Sequence, residues 1–277
     1  MNIGFILGRQ RPGAGSWVPQ VIALLRAWGI SVDEIYPDEG MIDFAKVQVE
    51  HDLYVLKPSR SQLALSYAGI LHALGARMLN PYPVSAALQN KVLTTHRIQM
   101  AGVPVPHTAA VSRAEHIHEL LDEGPIVITP HRSNPGQCGR LIRSPDDLPP
   151  LSGVYLAQRY HHPDGPERKI YSIGRRVFGV FGKFNTKTRD EKTGSPFTVE
   201  PELLRITQCC GDAFGIDTFG VDVIISDGRP YVIGMSAFPG FKGIPEATTR
   251  IADYLSSNLR NVSSNPPPST IQTSTGS

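Results

Sequence analysis

The sequence has little cysteine. Its 277 residues include three, Cys138, Cys209 and Cys210. An odd number with one adjacent pair fits neither a disulfide framework nor the spacing of a zinc site. None of the cysteines has a neighbouring base that would indicate a catalytic nucleophile. We therefore expect reduced thiols that pack in the core.

The chain also lacks an excess of charge and long apolar runs. Lys and Arg number 27 against 25 Asp and Glu, a net charge of +2. This balance implies no strong attraction to nucleic acid or to an anionic membrane. No apolar run approaches the roughly 20 residues that span a bilayer, and the start of the chain has no basic segment of a signal peptide. The sequence predicts a cytoplasmic protein with no nucleic-acid or membrane partner.

What is present is an alternation of short apolar strands and helix-like stretches, which indicates α/β packing. With 40% hydrophobic residues, the chain can bury a sizeable core. In the first part, the pattern predicts strands at residues 3–7, 32–36 and 53–56, and helices at 18–27 and 62–74.

Two further apolar strands, residues 221–225 and 231–235, flank Asp227-Gly228, a dipeptide that favours a tight hairpin turn. Asp222 then lies on a strand beside its partner strand. A buried carboxylate is costly unless it is hydrogen-bonded, paired or bound to a metal. Two interpretations stay open for Asp222: backbone amides satisfy it, or it binds a metal ion.

The segments Phe-Gly-Val-Asp-Val-Ile-Ile and Tyr-Val-Ile-Gly-Met-Ser-Ala-Phe-Pro-Gly-Phe-Lys within residues 219–243 resemble the C-terminal half of ATP-grasp proteins, in particular RimK-type and glutathione-synthetase-like ligases. In that family an Asp, an acidic residue and an Asn hold the magnesium ions that bridge the ATP phosphates. The resemblance places Asp222 at the first position, Gly234 at the second and Ser236 at the third. It therefore implies ATP and Mg²⁺ as cofactors, with two of three expected metal ligands absent.

The resemblance also implies the fold class: α/β with α+β elements, an ATP-grasp fold preceded by a small open-sheet α/β domain. Residues 1–84 form that first domain in this interpretation. Residues 85–157 form the central lid subdomain, and residues 158–258 form the C-terminal subdomain. The remainder, residues 259–277, is rich in Ser, Pro, Thr and Asn, and its composition predicts a disordered tail.

Several positions match nucleotide-binding segments of the family. Lys91 opens a helix that precedes Ala-Gly-Val-Pro-Val-Pro, and the matching lysine of the family contacts the ATP phosphates. The alternative is a solvated lysine in a first helical turn. Thr129 replaces the lysine of the family's strand-Lys-Pro, and Gly136 and Gly139 retain a shortened form of the flexible loop that follows. A hydroxyl cannot supply the missing positive charge.

The run ending in Gln158, Arg159 and Tyr160 resembles the strand and hinge whose backbone contacts adenine, although an ordinary strand and turn explain it as well. Lys169 stands in the Arg place of the family's D-x-R strand, with Glu167 in the Asp place. Lys183 and Arg189 lie on the segment whose cations meet the transferring phosphate in the family. The alternative is that this charged loop is simply solvated.

Together these matches imply an ATP-dependent carboxylate-amine ligase that acts through an acyl-phosphate. Two alternatives remain open, a small-molecule ATP-grasp kinase and a catalytically impaired nucleotide-binding protein that acts through a partner. The expected partner is a small-molecule or peptide substrate, with a homo-oligomer as a further possibility.

Overall fold

The computed structural model describes residues 1–8, 16–57, 61–132, 139–182 and 194–263, with side chains up to residue 260. Their strands form three sheets, one in the first part of the chain, one in the middle and one near the end. This mixed arrangement of sheets and helices confirms the predicted α/β class. The predicted domain boundaries stay a prediction.

The first sheet is parallel, with the order β2-β1-β3-β4. Its strands are β1 (Asn2–Leu7), β2 (Ser31–Ile35), β3 (Leu53–Lys57) and β4 (Met78–Leu79). Buried residues of β1 and β3 alternate between two clusters, one with helix α1 (Val18–Ala27) and one with helix α2 (Gln62–Ala73). Burial on both faces explains why these strands are continuous apolar runs.

Two short helices link the first sheet to the middle one. They are α3 (Tyr82–Leu88) and α4 (Lys91–Met100). The Asn90 side chain caps α4 by accepting hydrogen bonds from the amides of Val92 and Leu93, at 3.1 and 3.3 Å. This cap fixes the point where the helix begins, and hence the position of Lys91.

The middle sheet is antiparallel, with the order β5-β8-β6-β7. Its elements are β5 (Thr108–Val111), α5 (Ala114–Leu121), β6 (Ile126–Pro130), β7 (Arg140–Ile142) and β8 (Tyr155–Arg159). The pattern of residues 112–122 predicts a helix capped by Ser112; the helix is confirmed, but the cap is not. The helix begins at Ala114 after an extended Arg113, and no side chain caps it.

The third sheet is antiparallel, with the order β11-β10-β9-β12-β13. Its elements are β9 (Glu167–Ile173), β10 (Arg176–Gly182), β11 (Pro196–Phe197), α6 (Pro201–Phe214), β12 (Phe219–Ser226) and β13 (Arg229–Ala237). At the β12–β13 turn, Asp227 and Gly228 have φ of 50° and 69°, as the Asp-Gly pair predicts.

The last helix, α7 (Ala247–Ser263), packs against elements from the start of the chain. Its residues Ile251, Leu255 and Leu259 are fully buried at a spacing of four, in a core shared with α1 and the first sheet. The helix extends to Ser263, four residues beyond residue 259, where the predicted tail begins. Within the described ranges, no helix combines the length and apolar character needed to cross a membrane.

Candidate functional site

The third sheet brings three ionisable side chains together. Lys169 on β9 lies directly opposite Asp222 on β12. Its Nζ donates a hydrogen bond to Asp222 Oδ1 at 2.9 Å and lies 3.2 Å from Glu167 Oε1. Glu167 precedes Lys169 by two residues, so both side chains leave the same face of the strand. The ammonium therefore lies between two carboxyl groups.

Glu167 is the most unusual member of this cluster. Its side chain is 1% exposed, and neither carboxyl oxygen accepts a well-formed hydrogen bond from the described residues. Burial, together with the negative charge of Asp222, raises the pKa of Glu167 to about 9. Glu167 is therefore mainly neutral at pH 7. The resemblance matched its position, but the sequence does not reveal this burial, because Glu167 is followed by the charged residues Arg168 and Lys169.

Lys169 remains charged in this surrounding. Burial alone lowers the pKa of Lys169, but the negative charge of Asp222 and its hydrogen bond with the ammonium outweigh burial, and the net pKa is raised. The side chains of Lys169 and Asp222 are 31% and 38% exposed, so the pair is accessible from the surface of the sheet. The cluster thus presents a fixed cation whose charge is largely balanced within the protein.

A second group of predicted residues lies around the end of β6. The Lys91 amide donates a hydrogen bond to the His131 carbonyl oxygen at 2.8 Å. Thr129 lies two residues earlier on β6, and a side chain at Gly139 would come within 3.1 Å of Thr129 Oγ1. The structure therefore brings Lys91, Thr129 and Gly139 to one strand end, while Gly136 lies outside the described residues.

The predicted adenine segment is held firmly within the middle sheet. Gln158 is buried, and its Nε2 donates to Thr108 Oγ1 at 3.2 Å. The amides of Arg159 and Tyr160 donate to the carbonyl oxygens of His107 and Pro125, at 2.8 and 2.9 Å. These two amides are engaged within the protein, so backbone contact with adenine has to use other groups of this segment.

The guanidinium of Arg159 points to the end of α5. It donates to the carbonyl oxygens of Gly124 and Leu120, at 2.6 and 3.1 Å, and to Glu123 Oε2 at 2.8 Å. These contacts satisfy carbonyl groups that the helix end leaves without partners. The structure thus separates the Arg159 side chain from the Lys169 cluster and gives it a structural role.

The connection between the middle and third sheets is fixed by the β12–β13 turn. The Asp164 carboxylate accepts hydrogen bonds from the amides of Asp227 and Gly228, at 3.1 and 2.9 Å. The His161 ring stacks on Tyr231 of β13 with 4.1 Å between ring centroids. The hinge region is therefore anchored to the hairpin that carries Asp222.

Known proteins with related sequences match this chain at low identity. No protein-family model matches. The "Probable alpha-L-glutamate ligase" of Aliivibrio salmonicida is 22% identical over 208 residues, 65% of this chain and 69% of that protein. The "Glutamate--LysW ligase ArgX" of Sulfurisphaera tokodaii is 21% identical over 255 residues, 83% of this chain and 90% of that protein. An inositol-tetrakisphosphate 1-kinase of Danio rerio is 34% identical over 103 residues, but this match spans 35% of the chain and 26% of the kinase.

Solved structures match over nearly the whole chain. A RimK domain ATP-grasp protein from Sphaerobacter thermophilus superposes with a TM-score of 0.72 and 16% identity, covering 92% of this chain and 99% of that one. The D-cycloserine synthetase DcsG superposes with a TM-score of 0.73 and 14% identity, covering 94% and 100%. The chain has the ATP-grasp fold of these structures. The predicted resemblance is confirmed at the level of fold.

Within this ATP-grasp fold, the donor set at Asp222 does not fit a magnesium site. Gly234 is the cross-strand partner of Asp222, and a Cβ there would lie 3.4 Å from Asp222 Oδ2. A carboxylate at this position would therefore reach Asp222, but glycine supplies none. In the part of the chain that the structure describes, no three His, Cys, Asp or Glu side chains are placed to hold a metal ion. Asp222 as a magnesium ligand stays a prediction.

The remaining predicted residues either lie away from the Lys169 cluster or fall outside the residues that the structure describes. Lys183 and Arg189, the predicted catalytic cations, lie outside the described residues, as does Cys138. Cys210 is fully buried in the core beside α6, and burial raises the pKa of its thiol to about 12. Cys209 is half-buried against the same core. Cys210 is therefore a packing residue, as the sequence predicts.

Proposed function

We propose that this protein is an ATP-dependent carboxylate-amine ligase that binds its nucleotide between the middle and third sheets. The observation that carries the proposal is the Lys169 ammonium, held 2.9 Å from Asp222 on the third sheet. Phosphoryl transfer depends on positive charge fixed near the oxygens of the transferred group. Lys91 opens α4, and its amide hydrogen-bonds to His131 just beyond β6; we propose it as the second cation for the phosphates.

The proposed reaction has two steps. A carboxylate oxygen of one substrate attacks the γ-phosphorus of ATP, and ADP leaves with the electrons of the broken P–O bond. The amine of the second substrate then attacks the acyl carbon of the acyl-phosphate, phosphate leaves, and the nitrogen loses a proton. The relatives that match most of the chain are named as glutamate ligases, which supports a carboxylate substrate.

The proposed substrates are small molecules or peptides. Among the solved structures of the same fold is a RiPP-associated ATP-grasp ligase of Chryseobacterium gregarium, in complex with ADP and with a leader and core peptide. Its likeness to this chain, at 14% identity, supports the fold alone, so the experiment decides between a peptide and a free amino acid. Localisation in the cytoplasm and a homo-oligomeric state stay predictions.

A small-molecule kinase is the second candidate, because the inositol-tetrakisphosphate 1-kinase match has 34% identity over 103 residues. A kinase would share the nucleotide cleft but transfer the phosphoryl group to a hydroxyl. The product would be a stable phosphoester, and no amine would be required.

A catalytically impaired nucleotide-binding protein is the third candidate. It is favoured by Gly234 and Ser236, which leave Asp222 without neighbouring acidic or amide ligands. Such a protein would bind a nucleotide, turn over little or none of it, and act through a partner.

Calorimetric titration with ATP, with and without Mg²⁺, followed by an ADP-release assay, separates these candidates. ADP release that needs both a carboxylate substrate such as L-glutamate and an amine supports the ligase. Phosphoester formation without an amine supports the kinase, and binding without turnover supports the impaired protein. Absence of any ATP binding would refute all three.

A matched pair of variants tests the metal site itself. The double substitution Gly234→Glu with Ser236→Asn should strengthen Mg²⁺-dependent ATP binding by about tenfold or more, since it places a second carboxylate beside Asp222. Gly40→Glu is the control, because Gly40 has open space around it in the first domain. Equal affinity of all three proteins would mean that the cleft has diverged beyond these two side chains.

A further inference from the structure

Lys57 ends β3 at the carboxyl edge of the first sheet. Its partner in the register is Leu7, the last residue of β1. In the order β2-β1-β3-β4 the chain leaves β1 for β2 on one side and later returns to β3 on the other. In open α/β sheets, ligands bind beyond the carboxyl ends of the strands at such a reversal point. Lys57 therefore occupies the position where this domain architecture offers a ligand site.

The ammonium of Lys57 reaches the loop that follows β13. It donates a hydrogen bond to the carbonyl oxygen of Phe238, two residues beyond Ser236. Lys57 thus connects the edge of the first sheet with the strand that carries the candidate nucleotide-site positions. A group bound at Lys57 would lie near that strand end.

The loop is held in a demanding conformation. Phe238 and Phe241 both have positive φ, 40° and 48°, which non-glycine residues seldom adopt. Trp17 packs against both rings, and its Nε1 donates to the Pro239 carbonyl oxygen at 2.9 Å. Strained backbone of this kind persists where the surroundings over-determine it, and it concentrates at functional sites. The position of the Phe238 carbonyl, and with it that of the Lys57 ammonium, is therefore fixed from two sides.

Lys57 has no internal counter-ion among the described residues, where no carboxylate comes within ion-pair distance. Burial lowers the pKa of Lys57 to about 8. A desolvated ammonium with a single carbonyl partner is costly, and a bound anion would offset that cost. The protein leaves this charge uncompensated at the edge where a ligand is expected.

We propose that Lys57 forms a subsite for an anionic group of the substrate, a carboxylate or a phosphate, between the edge of the first sheet and the loop after β13. This inference rests on the proposed function, for which the anion is the substrate group that enters beside the nucleotide. A carboxylate is the group expected for the ligase, and a phosphate is the group expected for the kinase.

Competitive acetylation of lysines, followed by mass spectrometry across a range of pH, tests this subsite without any turnover. Full-length protein is labelled in sodium chloride and, at equal ionic strength, in acetate, L-glutamate or inorganic phosphate. Lys57 should titrate with a pKa near 8 in chloride, and the matching anion should raise that pKa and slow labelling several-fold. Lys46, which is 82% exposed, is the internal control and should not change.

Comparing the anions distinguishes a carboxylate subsite from a phosphate subsite. Protection by acetate or glutamate assigns a carboxylate, and protection by phosphate alone assigns a phosphate. If no anion changes the labelling of Lys57 relative to Lys46, the subsite is refuted. Calorimetry on Lys57→Met and Lys57→Arg completes the test, because affinity for the protecting anion should fall about tenfold or more in the first and partly recover in the second.

The outcome is separable from that of the proposed function. ATP binding in the absence of the second substrate should be the same in wild type and Lys57→Met. An anion effect at Lys57 in a protein that binds no ATP would keep the subsite and refute the ligase. Normal ATP binding with no anion effect at Lys57 would refute the subsite and leave the proposed ligase in place.

Discussion

Lys169 and Lys57 are both half-buried lysines at strand positions of this protein, but the protein neutralises only one of them. Lys169 lies between Asp222 and Glu167, and its net pKa is raised. Lys57 meets one carbonyl oxygen, and burial lowers its pKa to about 8. Both lysines are desolvated by burial, but the pKa of Lys169 is raised and the pKa of Lys57 is lowered.

This difference indicates different tasks. A cation paired with a carboxylate inside the protein contributes to the stability of the fold even when no ligand is bound. A cation without a counter-ion destabilises the free protein and gains most from a bound anion. Proteins tolerate such local instability where function needs it. Substitutions at the two lysines should consequently change stability in opposite directions.

The largest expected effect is at Lys169. Lys169→Met leaves the half-exposed Asp222 carboxylate without its cation, which should reduce the free energy of unfolding by about 1–3 kcal/mol, between the values for exposed and buried pairs. Urea unfolding at pH 7 measures this loss. Lys46→Met removes an exposed lysine paired with Asp43 and should cost less than about 1 kcal/mol.

A second variant separates the loss of the charge pair from other causes of instability in Lys169→Met. Adding Asp222→Asn to Lys169→Met removes the uncompensated charge as well, so part of the lost stability should return. If Lys169→Met is as stable as the wild type, the comparison between the two lysines fails.

The next effect concerns ligand binding rather than stability. Lys91→Ala should weaken ATP binding by about 10- to 100-fold if the side chain reaches a phosphate, because hydrogen bonds to charged groups contribute about 1.5–3 kcal/mol. The start of α4 should persist, since the Asn90 cap and the hydrogen bond from the Lys91 amide to His131 use no Lys91 side-chain atoms; circular dichroism of the variant checks that it is folded. Unchanged affinity would remove Lys91 from the site.

Glu167 gives a pH-dependent effect of intermediate size. Its pKa is about 9 in the folded protein and 4.5 in the unfolded chain, so the folded state binds more protons between these values. Stability of the wild type should therefore fall as the pH rises through this window. Glu167→Gln cannot ionise and should gain about 1–2 kcal/mol relative to wild type between pH 5 and pH 8. Parallel curves for the two proteins would contradict the neutral state of Glu167 at pH 7.

Local signals in the sequence predict much of the fold. Residues 18–27 and 62–73 are helical, as predicted to within one residue, and the Asp227-Gly228 turn has the expected positive φ values. In each case the information lies in neighbouring residues: a proline in the first turn, an apolar stripe, or a dipeptide suited to a left-handed backbone. The helix predicted after Ser112 is present, but it begins at Ala114 and no side chain caps it, so the Ser112 cap alone is wrong.

The site is harder to predict because its contacts are distant in the chain. Resemblance placed Asp222 and Gly234 on matching strands, and the register agrees. It could not place Lys169 against Asp222, which depends on the pairing of strands about fifty residues apart. The same holds for Arg159, whose role is set by the end of α5. The contact between Lys57 and Phe238 joins opposite ends of the sequence.

The smallest expected effect completes the comparison. Lys57 has a pKa of about 8 when folded and 10.5 when unfolded, so the unfolded state binds more protons between these values. The stability penalty is therefore complete below pH 8 and disappears as the pH rises towards 10.5. Lys57→Met should be more stable than wild type at pH 7, by under about 1 kcal/mol for a half-buried group, and the gap should close at high pH. Thermal unfolding of both proteins across this range measures it. A Lys57→Met protein that is less stable than wild type at every pH would make Lys57 a structural residue like Lys169, held for its bond to Phe238 rather than for an anion.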